Sequence, residues 1–265
     1  MVKKNAKIQV VRGLCCIAVV SIHCLPEGSI KYLIKPLLNF CVGVYLFLSG
    51  MLTLRNDWNP KRRILKVILP YILWTFLYVC IENRNNIVSI PIEFFKGLIK
   101  ADKPYMMYFI PVYCQLTLLF PILHRFAVSK YKYIPLLISP IEIITFRLIP
   151  LITGIEINPV IASIMHISCL GWVNYYYFGY LIGNGFISLH IRVIYLVLLY
   201  SASLVIQYFE TMFYILLGSD SPGTQLKLTA IFSGLLACLL FYDYIYRIPS
   251  ANNIPTSTWG RLSEN

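Results

Sequence analysis

Apolar residues in this chain form long runs, separated by short clusters of Lys, Arg, Asn and Pro. Eight runs are long enough to cross a bilayer, which takes about 20 helical residues. They cover approximately 7–25, 36–54, 64–81, 105–123, 131–150, 166–187, 191–209 and 225–243. This pattern predicts an all-α polytopic bundle in one integral membrane domain, residues 1–265, with no linker and no internal repeat. Pro104, Pro135 and Pro159 fall near starts or connections, where a missing N–H costs little. Pro111 and Pro140 lie deeper and predict kinks. The stretch 150–165 is apolar enough to hold a short re-entrant helix. Ile87 to Ile99 predicts a short interfacial helix with Phe94, Phe95 and Leu98 facing lipid.

The polar exceptions inside these runs carry the information. Arg12 and His23 lie eleven positions apart in the first run. Eleven helical steps amount to about three turns plus 20°, so the two share one face, about 16 Å apart along the axis. A cation facing lipid costs about 2.5–3.5 kcal/mol on insertion scales. The pair therefore reads as a polar stripe aimed at a protein interior. Glu142 in the fifth run is a second intramembrane candidate. Arg147 shares its helix, but five α-helical steps put it at a poor angle for pairing.

Composition agrees with a membrane protein: 58% hydrophobic, 13% charged, mean hydropathy +0.70, against about 25% charged in soluble domains. The net charge of +12 is spread between apolar runs. That favours positive-inside topology over nucleic-acid binding. With the N-terminus in the cytoplasm, thirteen Lys and Arg residues fall inside, including Lys3, Lys4 and Arg261, and seven outside. The charged and imidazole side chains within the first run, and the lack of a small-residue cleavage site after it, predict a retained span rather than a signal peptide. The eight cysteines show no C-x-x-C spacing and read as small hydrophobes, with no metal site.

His23 is the strongest chemical candidate, because a neutral imidazole takes a proton near pH 7. The competing reading of a lone histidine, a satisfied core residue, loses force beside Arg12. Lys61, Arg62, Arg63 and Lys66 form a cationic entry to the third span. They could grip phosphates, but on composition alone a topology signal is the stronger reading. Gly179 and Gly183 form G-x-x-x-G and, with Ser49-Gly50, predict close helix packing. The Ser49 hydroxyl is a cavity-lining candidate without a G-x-S-x-G context. Gln115, Gln207, Asp243 and several tyrosines are further candidates. No P-loop, dinucleotide fingerprint, zinc motif or EF-hand occurs.

Four stretches together resemble the membrane-bound acyltransferase family 3, whose members O-acylate cell-surface carbohydrates. Arg12 to His23, with small and apolar residues between, is similar to its first-helix signature. Gly43 to Leu52, with Ser49-Gly50, is similar to its F-F-x-L-S-G-x-L stretch. Lys61-Arg62-Arg63-Ile-Leu-Lys66 leading to Pro70-Tyr71 resembles its basic entry to span three. Tyr105 to Phe109, followed by Phe120-Pro121-Ile-Leu, resembles its H-L-W-F…P-I-L segment, with Tyr108 where Trp is usual. The resemblance implies acyl-CoA-dependent transfer, with acetyl-CoA the default donor, to a surface polysaccharide or its lipid-linked precursor. It implies His23 as base, Arg12 as its partner, and Arg62, Arg63 and Lys66 as donor-binding groups. Ser49, Tyr108 and Glu142 would line the cavity. A multi-pass inner-membrane location follows, in contact with lipid. One departure stands out. The family has about ten spans, and Trp259 to Asn265 looks like the approach to a last helix that does not follow. This predicts a C-terminally truncated or short member. Two rival readings stay open at this stage: a glycan transporter or flippase, whose intramembrane charges line a path, and an inactive relic.

Overall fold

The computed structural model describes residues 5–26, 28–56, 58–103 and 105–247. Lys3, Lys4, Arg261 and the Trp259–Asn265 stretch lie outside them. Every regular element among the described residues is helical. α1 (Ala6–Cys24) leads from the end rich in Lys and Arg, here the basic end, to the far end. α2 (Ser29–Leu38) and α3 (Phe40–Met51) return. α4 (Pro60–Glu82) leads out again, α5 (Ile90–Lys100) is a short far-end helix, and α6 (Phe109–Ala127) returns. α7 (Ile138–Ile143), a π-helical turn (Ile144–Leu148) and α8 (Ile149–Thr153) make one irregular span. α9 (Pro159–Ile167) is short, and α10 (Val173–Gly183), α11 (Val193–Leu216) and α12 (Leu228–Tyr246) complete the bundle.

Seven helices among the described residues are long and apolar enough to cross a membrane, one fewer than the apolar runs predict. The difference lies at 166–187. Ser168 is extended, which separates α9 from the 3₁₀ turn Leu170–Trp172 and α10. The 11 residues of α10 cover about 16 Å, roughly half the hydrocarbon thickness. α10 is nonetheless the buried centre: Tyr175, Tyr176, Tyr177, Tyr180 and Leu181 are all sealed from solvent. A helix that is apolar all round belongs in a core. Within the long helices, 56% of the Ile30–Met51 and Leu228–Tyr246 windows is buried, against 17% for α4 and α11. The first pair flanks α10 and the second lies at the perimeter.

Small residues set the central contact. α3 and α10 run in the same direction in constant register, with Gly43 against Tyr175, Phe47 against Gly179 and Met51 against Gly183. A Cβ at Gly179 would overlap the Phe47 backbone, one at Gly183 the Met51 backbone, and one at Gly50 the Tyr176 carbonyl. Both packing expectations, Gly179/Gly183 and Ser49-Gly50, are therefore met from the two sides of one interface. Hydrophobic burial does not drive association inside lipid, so close backbone approach of this kind supplies the attraction.

The broken entry to α10 would leave orphan backbone groups in an apolar interior. Two side chains satisfy them. Gln115 of α6 donates to the Ile167 carbonyl (2.8 Å) and accepts from the Cys169 N–H (3.0 Å). Ser139 of α7 donates to the Leu170 carbonyl (2.8 Å) and accepts from the Asn174 N–H (3.2 Å).

Three further expectations need correction. Pro111 sits in the first turn of α6, where its missing N–H is one of the helix's orphans anyway, and α6 runs on unbroken. Arg147 does pair with Glu142, Nη2 to Oε1 at 3.4 Å. The π-helical turn brings residues five apart onto one side. Its cause is Pro150, which cannot donate to the Phe146 carbonyl and crowds it. On α5, Phe95 is exposed but Phe94 turns onto Phe76 of α4, ring centroids 5.6 Å apart. Gly97 lets α5 approach Thr75 closely enough for that.

Gly179→Leu is expected to abolish the monodisperse, detergent-extractable form, since overpacking of even ordinary cores costs about 1–3 kcal/mol. Gly13→Ala, with nothing within 4 Å of the added methyl, leaves the melting temperature unchanged or raised. The Glu142 side chain is only 2% exposed, so Arg147→Met strands a buried carboxylate at a cost of about 3–5 kcal/mol. The double variant Glu142→Gln/Arg147→Met should melt higher than Arg147→Met alone. Thermal unfolding in detergent reads all three.

Candidate functional site

Because α10 stops short, space remains between its entry and the far end. A cavity of about 680 Å³ fills it, with Trp172 at its base. That is ample for a small ligand. α1 supplies one wall. Cys16, Val19 and His23 fall on the cavity, at positions i, i+3 and i+7 of one helical face. Arg12, one turn before Cys16 on that stripe, is half-buried. The same-face geometry expected for Arg12 and His23 is thus a property of α1, which is helical across both.

Tyr45 of α3 faces this stripe. Its hydroxyl donates to the Arg12 carbonyl (2.9 Å) and lies 2.6 Å from Cys16 Sγ. Across the cavity stand Tyr108 before α6, Arg147 of the π-helical turn and His166 of α9. Tyr108 stacks on Trp172, with ring centroids 6.0 Å apart. The loop before α12 closes the wall with Ser221, Thr224 and Gln225. Lys227 anchors that loop: its buried ammonium donates to the Pro222 carbonyl (2.9 Å) and to Thr211 Oγ1 (2.5 Å).

Of the candidate residues, His23 and Tyr108 line the cavity. Glu142 lies behind the wall, holding Arg147. Ser49 is elsewhere, at the basic end of α3, where its carbonyl accepts from Thr53 Oγ1 (2.7 Å). Gln115 and Gln207 serve structure rather than the cavity, Gln207 by accepting from Ser233 (2.9 Å). Asp243 lines a second, smaller cavity of about 250 Å³ at the basic end. It is held there by Arg247 at 3.1 Å, which also donates to the Ile191 carbonyl (3.2 Å).

The cationic entry to α4 divides. Asn59 caps the helix by accepting from the Arg62 N–H (3.0 Å), and Pro60 occupies the first turn. This is a favourable start for a helix. Arg63 turns inward and donates to Thr53 Oγ1 at 2.6 Å. Thr53, fully buried, also meets the Tyr176 hydroxyl (3.2 Å), and its carbonyl accepts from Asn184 (3.1 Å). Arg63 is therefore fixed to the lower end of the α3–α10 pair, whereas Arg62 and Lys66 are exposed.

Tyr45, Thr53 and His166 escape a reading of the sequence. Thr53 had a faint signal, a hydroxyl four residues after Ser49 at the end of an apolar run. Tyr45 is one of 20 tyrosines and nothing in its spacing separates it from the rest.

A search of curated proteins and a search of solved structures each find no match. The family model described as an acyltransferase domain matches residues 5–260, which takes in α1 with its Arg12–His23 stripe, the α3–α10 pair and the whole cavity wall. The chain is a multi-pass membrane protein and belongs to acyltransferase family 3.

Proposed function

We propose that this protein transfers an acetyl group from acetyl-CoA to a hydroxyl of a cell-surface polysaccharide or its lipid-linked precursor, with His23 as the general base. The observation that carries the reading is the placement of His23 on the wall of a large cavity, on the same helical face as Arg12, in a chain of this family. In the proposed reaction His23 takes the acceptor's hydroxyl proton as its oxygen attacks the thioester carbonyl. The C–S bond then breaks, and the thiolate of CoA takes the proton from His23. The cavity contributes by holding the two reactants together.

The donor side of the reading rests on the basic end. Arg63, fixed by Thr53, is suited to grip a phosphate of the donor. The Arg12–Cys16–Val19–His23 stripe offers a line along which an extended thioester arm can reach the base. The excess of Lys and Arg at this end supports a cytoplasmic N-terminus in the inner membrane, which is where acyl-CoA is made available. The far-end cavity then faces the acceptor's side.

His23→Ala is expected to lower acetyl transfer by about 100-fold or more, read as glycan acetyl content in a strain with no other source. Undiminished acetylation would refute the assignment. Arg63→Ala should raise the KM for acetyl-CoA with little change in kcat, and Arg62→Ala should leave both near the parent values. Equal effects at Arg62 and Arg63 would reduce the cluster to a topology signal.

A further inference from the structure

The polarity of the large cavity is one-sided. Its wall carries Lys35 and Arg147 and the imidazoles of His23 and His166, and among the described residues it carries no carboxylate. Glu142, the nearest acid on the Arg147 segment, is withdrawn behind the wall with its side chain 2% exposed. It uses one Arg147 nitrogen, Nη2, through a single long contact of 3.4 Å. A guanidinium offers five donors in a planar fork. Here Nε is buried without a hydrogen-bond partner. The Arg147 side chain as a whole keeps 26% of its surface exposed, on the cavity wall.

Helix direction is balanced: α6 and α10 begin at this cavity, whereas α1 and α9 end at it with His23 and His166 in their last turns. The positive and negative dipole ends therefore offset, and the side chains set the sign.

We infer that the cavity takes an acceptor bearing a negative charge, a carboxylate or phosphate carried on a sugar, and that Arg147 is the group that binds it. The inference rests on the proposed transfer reaction for its acceptor and names that acceptor's chemical class. Arg147 would hold the anion on the side of the cavity formed by the π-helical turn and α9, leaving a sugar hydroxyl to face His23 on α1. A planar fork suits either oxyanion. The buried Glu142 keeps the guanidinium in place without covering it.

Cys16 provides the readout, since its thiol lies on the cavity wall and is exposed. The full-length purified protein is treated with N-ethylmaleimide, and alkylation of Cys16 is followed by peptide mass spectrometry. The probes are glucose, glucuronate, glucose 6-phosphate and CoA. Glucuronate or glucose 6-phosphate should slow the alkylation about fivefold more than glucose does, the worth of roughly one charge pair. The two anionic sugars distinguish a carboxylate acceptor from a phosphate one. Glu142→Gln/Arg147→Gln, which leaves no stranded carboxylate, should erase the preference, while His23→Ala should keep it. The inference is overturned if glucose protects as well as the anionic sugars, if the preference survives in the double variant, or if CoA alone protects. Loss of acetylation in His23→Ala with no anion preference would sink this inference and leave the reaction standing. Anion preference with undiminished acetylation in His23→Ala would sink the reaction instead.

Discussion

The close approach of α3 and α10 is the constraint on which the other features depend. Three glycines, Gly50, Gly179 and Gly183, let two backbones meet with no side chain between them. Because the helices are parallel and in fixed register, the contact determines both height and rotation. Rotation presents Tyr45 to α1 and Tyr175 to α12, where its hydroxyl reaches the Ala230 carbonyl (3.1 Å). Height places Thr53 beside Tyr176 and Asn184, and so fixes where Arg63 can dock. Arg63 and the α1 stripe are thus both referenced to one backbone contact.

Much of this was legible because a membrane span is a length-and-composition signal. Seven long helices coincide with seven of the apolar runs, and G-x-x-x-G named its own function. The Arg12–His23 stripe needed only helical geometry. The failures share a cause, which is reliance on regular helices. The 166–187 run has the length of a span, and its break at Ser168 is stabilised by Gln115 and Ser139, which lie far away in sequence. A 100° turn per residue puts Arg147 at a poor angle to Glu142, yet a proline three residues beyond Arg147 changes the turn. In the sequence Arg62 and Lys66 look no different from Arg63. Only the structure separates Arg63, whose side chain turns inward, from those two.

One set of polar groups inside the bundle serves the fold. Gln115, Ser139, Thr211 and Lys227 satisfy broken backbone or anchor loops, and each has its partner within the protein. His23, Arg147 and Cys16 face open space, Arg147 while also paired with Glu142 and Cys16 while also in contact with the Tyr45 hydroxyl. An apolar solvent makes this distinction sharp, since a polar group that neither completes the fold nor meets a ligand costs several kcal/mol. The residues facing the cavity are therefore the ones to which chemistry is most naturally assigned.

The stunted α10 has one more consequence. At its centre the protein is a partition only about half as thick as the lipid around it. In the proposed reaction, donor at the basic end and acceptor entering from the far end would be separated by that partition and not by the whole bilayer. The reach demanded of the thioester arm would then be set by a fixed piece of architecture, the length of one helix.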